Sequence, residues 1–262
     1  KNNISIAIRK PNQEIKIKVE PYKTLTKRKP FSLPFLRGVI MLVETMIEGI
    51  KALNYSTNEN LGDTKEEQLS PFSMIFSFLL SILLAIFLFK FIPLFTAQIL
   101  NLGNTYFFNI VEGLIKIAML VGYIWIISLL PDVKTLYQYH GAEHKIINAY
   151  ENKDLKNAKK YSTLHPRCGT SFLILVIFIS IIVYILIPMN FTIWVKLLLR
   201  LALLPVIAGI AYELIKLSGK HRKNKLLLIF ISPGLLLQKI TTKEPTEKQL
   251  EVSLAAFNAL KQ

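Results

Sequence analysis

Tyr139-His140-Gly141-Ala142-Glu143-His144-Lys145 holds two of the chain's four histidines, with a glutamate between them. On a helix, His140 and His144 stand one turn apart on a shared face, and Glu143 borders it. Two imidazoles and a carboxylate so placed can close on one divalent metal. The order H-x-x-E-H inverts the helix motif of zinc proteases. The other reading of the pair is two core histidines bonded to carbonyls and carboxylates. A second stretch, His165-Pro166-Arg167-Cys168-Gly169-Thr170-Ser171, brings a third histidine and the one cysteine.

A catalytic zinc needs a third protein ligand and a structural one needs four. His165, Cys168, Glu151, Glu213 and His221 are the candidates. A thiolate beside imidazoles tilts the choice of metal towards zinc. Thr170 or Ser171 is placed to cap the helix that follows. With Arg167, and with Lys145 nearby, that end would form an anion or substrate site. Ordinary capping and a snorkelling arginine account for the same residues.

These residues need elements to hold them. Val133, Leu136, Tyr137, His140, His144, Ile147 and Glu151 recur at helical spacing, so the histidines fall on an inward face. Asp132, after Pro131, is the expected N-cap of that helix. Gly141 leaves room there for a metal, a substrate or a neighbouring helix.

The chain around this helix is apolar and basic together. Hydrophobic residues make up 52% of it, yet its net charge is +15. That combination fits a membrane protein whose loops face an anionic cytoplasmic leaflet. The basic residues flank apolar runs instead of forming one basic domain, so membrane lipids are expected as partners and nucleic acid is not. A single cysteine implies no internal disulfide. An oligomer is left open.

Residues 1–30 read as a cytoplasmic β-hairpin, Ile4 to Tyr22 turning at Pro11-Asn12, with a basic linker. Residues 31–56 read as an amphipathic or membrane-associated helix, and Thr57 to Ser70 as a loop. Residues 71–130 carry two expected transmembrane helices, Phe72 to Phe89 and Ile110 to Leu130. Residues 131–170 form the cytoplasmic motif segment. Residues 171–215 carry two more spans, within Ser171 to Ile187 and Lys196 to Ile215, with a turn at Pro188-Met189-Asn190. In 216–262, Leu226 to Leu237 is expected to be re-entrant or interfacial, broken at Ser232-Pro233-Gly234. Pro245 to Leu260 is expected to be an amphipathic helix capped by Thr242 or Thr246. The fold class is thus a mainly α integral membrane protein with about four spans. Nine Lys or Arg precede residue 30, seven lie in 131–170 and nine in 216–262, against none in 91–109. The positive-inside rule puts both termini and both motifs in the cytoplasm.

The sequence resembles the YqhQ family of bacterial inner-membrane proteins, of unknown function and described as predicted metal-dependent enzymes. The matching strings are Arg37-Gly38, Tyr139 to Lys145, His165 to Phe172, Tyr212-Glu213, Thr241 to Pro245 and Gln249 to Val252. The family's glycine-rich opening, with a Gly-Gly-Gln and a glutamate, has no counterpart before Lys1. The resemblance implies a membrane-bound metal site in a bacterial inner membrane and names no substrate.

The residues then support a metal-dependent hydrolase, with His140 and His144 as ligands and Glu143 as base or further ligand. Cys168, His165 or Glu213 would complete the site. The alternative is a lipid or ion transporter, or a scaffold with a structural metal. Glu112, Lys116, Arg200 and Glu213 would be the pathway residues of a transporter.

Overall fold

The structure, a computed structural model, describes residues 3–61, 71–188, 190–221 and 224–261. The expected loop residues 62–70, and Met189 of the expected turn, lie outside the described residues.

Strands β1 (Asn3–Arg9) and β2 (Ile15–Pro21) form an antiparallel hairpin with Ile6 opposite Lys18. Its turn closes through Lys10 N–H to the Glu14 carbonyl at 2.9 Å, and Asn12 accepts from Glu14 N–H at 3.0 Å. Two strands are not stable alone. The hairpin rests on the C-terminal helix, where Arg9 pairs with Glu251 at 2.5 Å.

Ten α-helices follow among the described residues. Helix α1 (Leu36–Leu61) continues through Thr57, which the sequence assigned to a loop. Helix α2 (Pro71–Ile86), a π-helical turn (Phe87–Phe91) and α3 (Ile92–Ile99) run on without a break. The first apolar stretch therefore extends ten residues beyond Phe89, because the helix passes Pro93 by way of the π-helical turn directly before it. Helix α4 (Thr105–Ile127) starts earlier than expected, because the Asn104 side chain caps it by accepting from Tyr106 N–H at 2.8 Å.

Helix α5 (Pro131–Glu151) carries the first motif. Pro131 takes its first position and Leu130 is the N-cap, so Asp132 lies in the first turn and does not cap. Helix α6 (Gly169–Tyr184) has Cys168 as N-cap with no side-chain capping bond, so neither Thr170 nor Ser171 caps it. Helices α7 (Ile193–Ala202) and α8 (Leu204–Lys220) meet at a 42° bend, where Pro205 opens α8 and has no N–H for the turn before it.

Helix α9 (Lys225–Thr241) passes through Pro233 unbroken. The Ile229 carbonyl, which Pro233 cannot serve, accepts from the Ser232 hydroxyl at 2.8 Å. The expected break at Ser232-Pro233-Gly234 is therefore repaired within the helix. Helix α10 (Glu247–Ala259) is capped by Thr246, which exchanges hydrogen bonds with Gln249 in a capping box. Its Leu250, Leu254 and Phe257 pack on Ile146 and Ala149 of α5.

Two stretches, Phe76–Ile99 and Thr105–Ile127, are long and apolar enough to cross a membrane. A third is reached only if the bent α7–α8 pair is one span. Helix α6 has 16 residues, roughly 24 Å at the helical rise, short of a hydrocarbon core about 30 Å thick. Length and composition thus support two or three candidate spans where the sequence suggested four. Polarity in this region is inverted. Leu83 and Leu186 are 68% and 81% exposed, while Glu112 and Arg200 are 1% and 2% exposed.

Helices α6, α8 and α9 share a core of Leu175, Ile179, Ile207, Ala211 and Ile231. At the α6–α9 crossing, a Cβ on Gly234 would stand 2.5 Å from Ser171 Cα. Gly234→Val is therefore expected to force the two helices apart and cost roughly 1–3 kcal/mol as overpacking. Thermal unfolding of the purified variant measures this, and an unchanged melting temperature contradicts it.

Candidate metal site

His140 and His144 project from α5 towards the end of α9 and the segment before α6. His140 Nδ1 lies 2.9 Å from the Thr241 carbonyl, and His144 Nδ1 lies 2.5 Å from the Thr163 carbonyl. A carbonyl only accepts, so each Nδ1 carries the proton. Nε2 is therefore the nitrogen each ring leaves for a metal. Cys168 Sγ stands 3.3 Å from His140 Nε2 and 3.2 Å from the Thr170 hydroxyl. Ligand atoms of His140, His144 and Cys168 all lie within 4.8 Å of one another. A tetrahedral zinc, with bonds of about 2.0–2.3 Å, spreads its ligand atoms about 3.5 Å apart. The three side chains fit such an ion. Backbone carbonyls fixing the far ring nitrogen are the usual outer partners of metal-bound imidazoles.

Local packing produces this arrangement. A Cβ on Gly141 would stand 2.0 Å from the Lys243 carbonyl oxygen. The space at Gly141 therefore admits the backbone after α9, which brings Thr241 to His140. Lys243 N–H also donates to the Tyr137 carbonyl at 2.9 Å. On the other side, Asn148, one turn beyond His144, donates to the Ser162 and Leu164 carbonyls at 2.8 and 3.0 Å. Three successive carbonyls, 162 to 164, are thus held by one face of α5.

His165 is buried but turned elsewhere. Its Nδ1 accepts from Arg167 N–H at 3.3 Å, and its Nε2 faces Glu151 at 3.3 Å. Neither nitrogen points a free lone pair at the triangle. Glu151 also pairs with Arg167. Glu213 lies on α8 in a two-pronged ion pair with Arg37 of α1, at 2.6 and 2.5 Å. Beside it, Gly38 packs against Tyr212, so two of the sequence's matching strings are one interface. His221 is exposed at the end of α8.

The expected anion-binding residues have protein partners. Lys145 Nζ donates to the Lys159 carbonyl at 2.8 Å and pairs with Glu244 at 2.7 Å. Ser171 Oγ accepts from Gln238 Nε2 at 2.8 Å. Gln238, fully buried, also accepts from His165 N–H at 2.8 Å and donates to its carbonyl at 2.9 Å. The sequence reading overlooked Gln238. Its only signal was an uncharged amide in an apolar helix, three residues before Thr241.

Glu143 does not join the triangle. With His140, Tyr139, Tyr137 and Leu136 it lines a cavity of about 290 Å³. It also faces a cleft of about 340 Å³ between α1, α10 and β1. Glu143 is exposed to these clefts, and the desolvation it still undergoes against the neighbouring protein raises its carboxyl pKa. Burial opposes ionisation of both Cys168 and His140, but their mutual attraction outweighs it. The thiol falls from 9.0 to about 5, helped by His144 and Thr170, and the His140 imidazole rises. Without a metal, both shifts favour the charged forms, a thiolate on Cys168 and a proton on His140.

A depressed thiol pKa stabilises the fold above the unfolded thiol's pKa, and that stability is lost as pH falls through about 5. With one cysteine in the chain, the thiolate absorbance near 240 nm has a single source. Metal-free protein is expected to keep this absorbance from pH 9 down to 6 and lose it with a midpoint near 5. A midpoint above pH 8 would mean that the ion pair does not form.

The comparisons with known proteins agree with one another. The family model "Protein of unknown function (DUF1385)" matches residues 33–262. The chain is 36% identical over 248 residues to "Uncharacterized protein YqhQ" of Bacillus subtilis (strain 168), covering 87% of this chain and 77% of that protein. No solved structure matches. The chain belongs to the DUF1385 family, alongside YqhQ.

Proposed function

We propose that this protein is a membrane-embedded, zinc-dependent hydrolase acting at the cytoplasmic face of a bacterial inner membrane. One observation carries the reading: His140 Nε2, His144 Nε2 and Cys168 Sγ converge while backbone carbonyls hold both Nδ1 protons. A zinc ion held by these three side chains would keep a place for water or substrate, as catalytic sites do. A zinc ion bound there supplies Lewis acidity that makes water a nucleophile near neutral pH.

The chain's own residues do the rest. His140 and His144 would hold the ion as neutral imidazoles and Cys168 as a thiolate, with the extra His140 proton released to solvent on binding. Glu143, outside the ligand triangle and open to two clefts, takes the proton from the attacking water at its carboxylate. Its raised pKa lets it hand that proton on to the leaving group. Arg167 and Glu151 hold His165 out of the ligand set. A scaffold with a structural metal would require a fourth protein ligand, and His165 is turned away from that place.

The membrane placement rests on the candidate spans, the inverted polarity and the distribution of basic residues. We infer four crossings: Phe76–Ile99, Thr105–Ile127, α7–α8 taken as one bent span, and α6, whose shortfall of roughly 6 Å is met by local thinning of the bilayer. Both termini and residues 131–168 then lie in the cytoplasm.

Protein purified without chelator is expected to contain about one zinc per chain by elemental analysis. His144→Ala should lose most of it. Glu143→Gln should keep the metal and lose hydrolytic turnover by roughly 10²–10⁴-fold, the range for a general base. Negligible metal in the wild-type protein would end this reading. Metal loss in Glu143→Gln would make that residue a ligand.

A further inference from the structure

Charge within the candidate spans is unbalanced. Lys90 lies in the π-helical turn, Lys116 near the middle of α4, and Lys196 and Arg200 on α7. Lys116, Lys196 and Arg200 are buried. Among the described residues, Glu112 is the acid that answers them, pairing with Lys116 at 2.6 Å and with Arg200. The other partners are neutral. Arg200 donates to Asn109 at 2.9 Å, Lys196 to Gln98 at 3.0 Å and Lys90 to the Tyr184 hydroxyl at 3.2 Å. The Tyr184 ring receives Lys90, Lys116 and Arg200 at 5.5, 4.9 and 4.7 Å from its centroid. Neutral oxygens and a ring face satisfy hydrogen-bond geometry without cancelling charge. Four basic groups around one carboxylate leave Lys90 and Lys196 with neutral partners, and a bound anion is what would hold their protons in an apolar setting.

A cavity of about 420 Å³ opens beside this cluster, within the roughly 300–1,000 Å³ range of small-molecule sites. Lys90 and Lys116 form its charged end, and Ile82, Leu120, Leu173 and Ile177 are among its hydrocarbon walls. The cavity is amphipathic in the sense of a fatty acid: one small charged end and a long apolar flank.

We propose that this cavity binds the anion of a long-chain fatty acid, its carboxylate on Lys90 and Lys116 and its chain along the apolar wall. Lys116 lies near the middle of the Thr105–Ile127 helix, so a headgroup reaching it must be small and must shed its water. A carboxylate meets that condition. A glycerophosphate with two acyl chains does not, and a single cavity of this size suits a single chain. The inference rests on the membrane placement proposed above and is independent of the zinc.

The test uses the protein extracted from carbonate-washed membranes and transferred to amphipol. Release by carbonate alone would remove the membrane placement, separately from any result on lipid. Binding of cis-parinarate, a fluorescent fatty acid, is followed by fluorescence and challenged with palmitate. Saturable binding, displaced by palmitate and not by methyl palmitate, is expected. Lys90→Met is expected to weaken binding at least tenfold by removing a basic group that has no carboxylate partner. Ile177→Trp should do the same by filling the apolar wall. Equal displacement by methyl palmitate, measured on wild-type protein, overturns the proposal whether or not the variants fold. Unchanged binding in both variants also overturns it. Stronger displacement by phosphatidylglycerol than by palmitate assigns the cavity to a diacyl lipid instead and overturns it too.

Discussion

Two hydrogen bonds from imidazole to backbone carbonyl set the chemistry of this protein. The Thr241 and Thr163 carbonyls hold the Nδ1 protons of His140 and His144. Without them each ring could flip or change tautomer, and the Nε2 lone pairs would not meet at Cys168. The rest of the half built around α5 supports these two contacts. Gly141 lets the chain beyond α9 lie against α5. Asn148 grips the carbonyls on either side of Thr163. Gln238 ties His165 to α9 and to Ser171 of α6, so the loop bearing Cys168 is fixed from the same helix that ends at Thr241.

How much of this was readable in the residues varies by kind. The helical face of His140 and His144, and Cys168 as their partner, could be read because side-chain type and spacing carry that information. The carbonyl locks could not, since every residue has a carbonyl and only the fold says which one arrives. The role of Gly141 was half legible: a glycine at an inward helical position signals close approach, but not that a backbone would fill it. Asp132 and Pro131 were in competition for the start of α5, and the fixed φ of proline at the first position prevailed. Pro233 was read as a break because the rule for proline looks at its own missing N–H. It does not look at Ser232, whose hydroxyl serves the stranded carbonyl. His165 and Glu213 share the residue types of ligands, yet Arg167 and Glu151 claim the first and Arg37 the second, and of these partners Glu151 and Arg37 sit on other elements.

The half built from the apolar helices follows the opposite accounting of polarity. Leucines and isoleucines face outward, and charged groups face inward around Tyr184. In water such a surface would aggregate; in hydrocarbon it is the solvent-facing side. The inward charges then need each other, and Glu112 is the hinge of that network, with Lys116 and Arg200 both leaning on it. Removing Glu112 would leave two buried cations without a counter-ion, which is costlier than never having had the pair.

The crossing at Gly234 and Ser171 has a mechanical consequence. Helices α6 and α9 touch there almost backbone to backbone, and Gln238 bolts them together one turn further on. Thr241 terminates one of these helices and Cys168 begins the other. One imidazole lock and the thiol therefore ride on the same stiff yoke. When that yoke tilts, both are carried along a common arc, and the spacing between them is preserved.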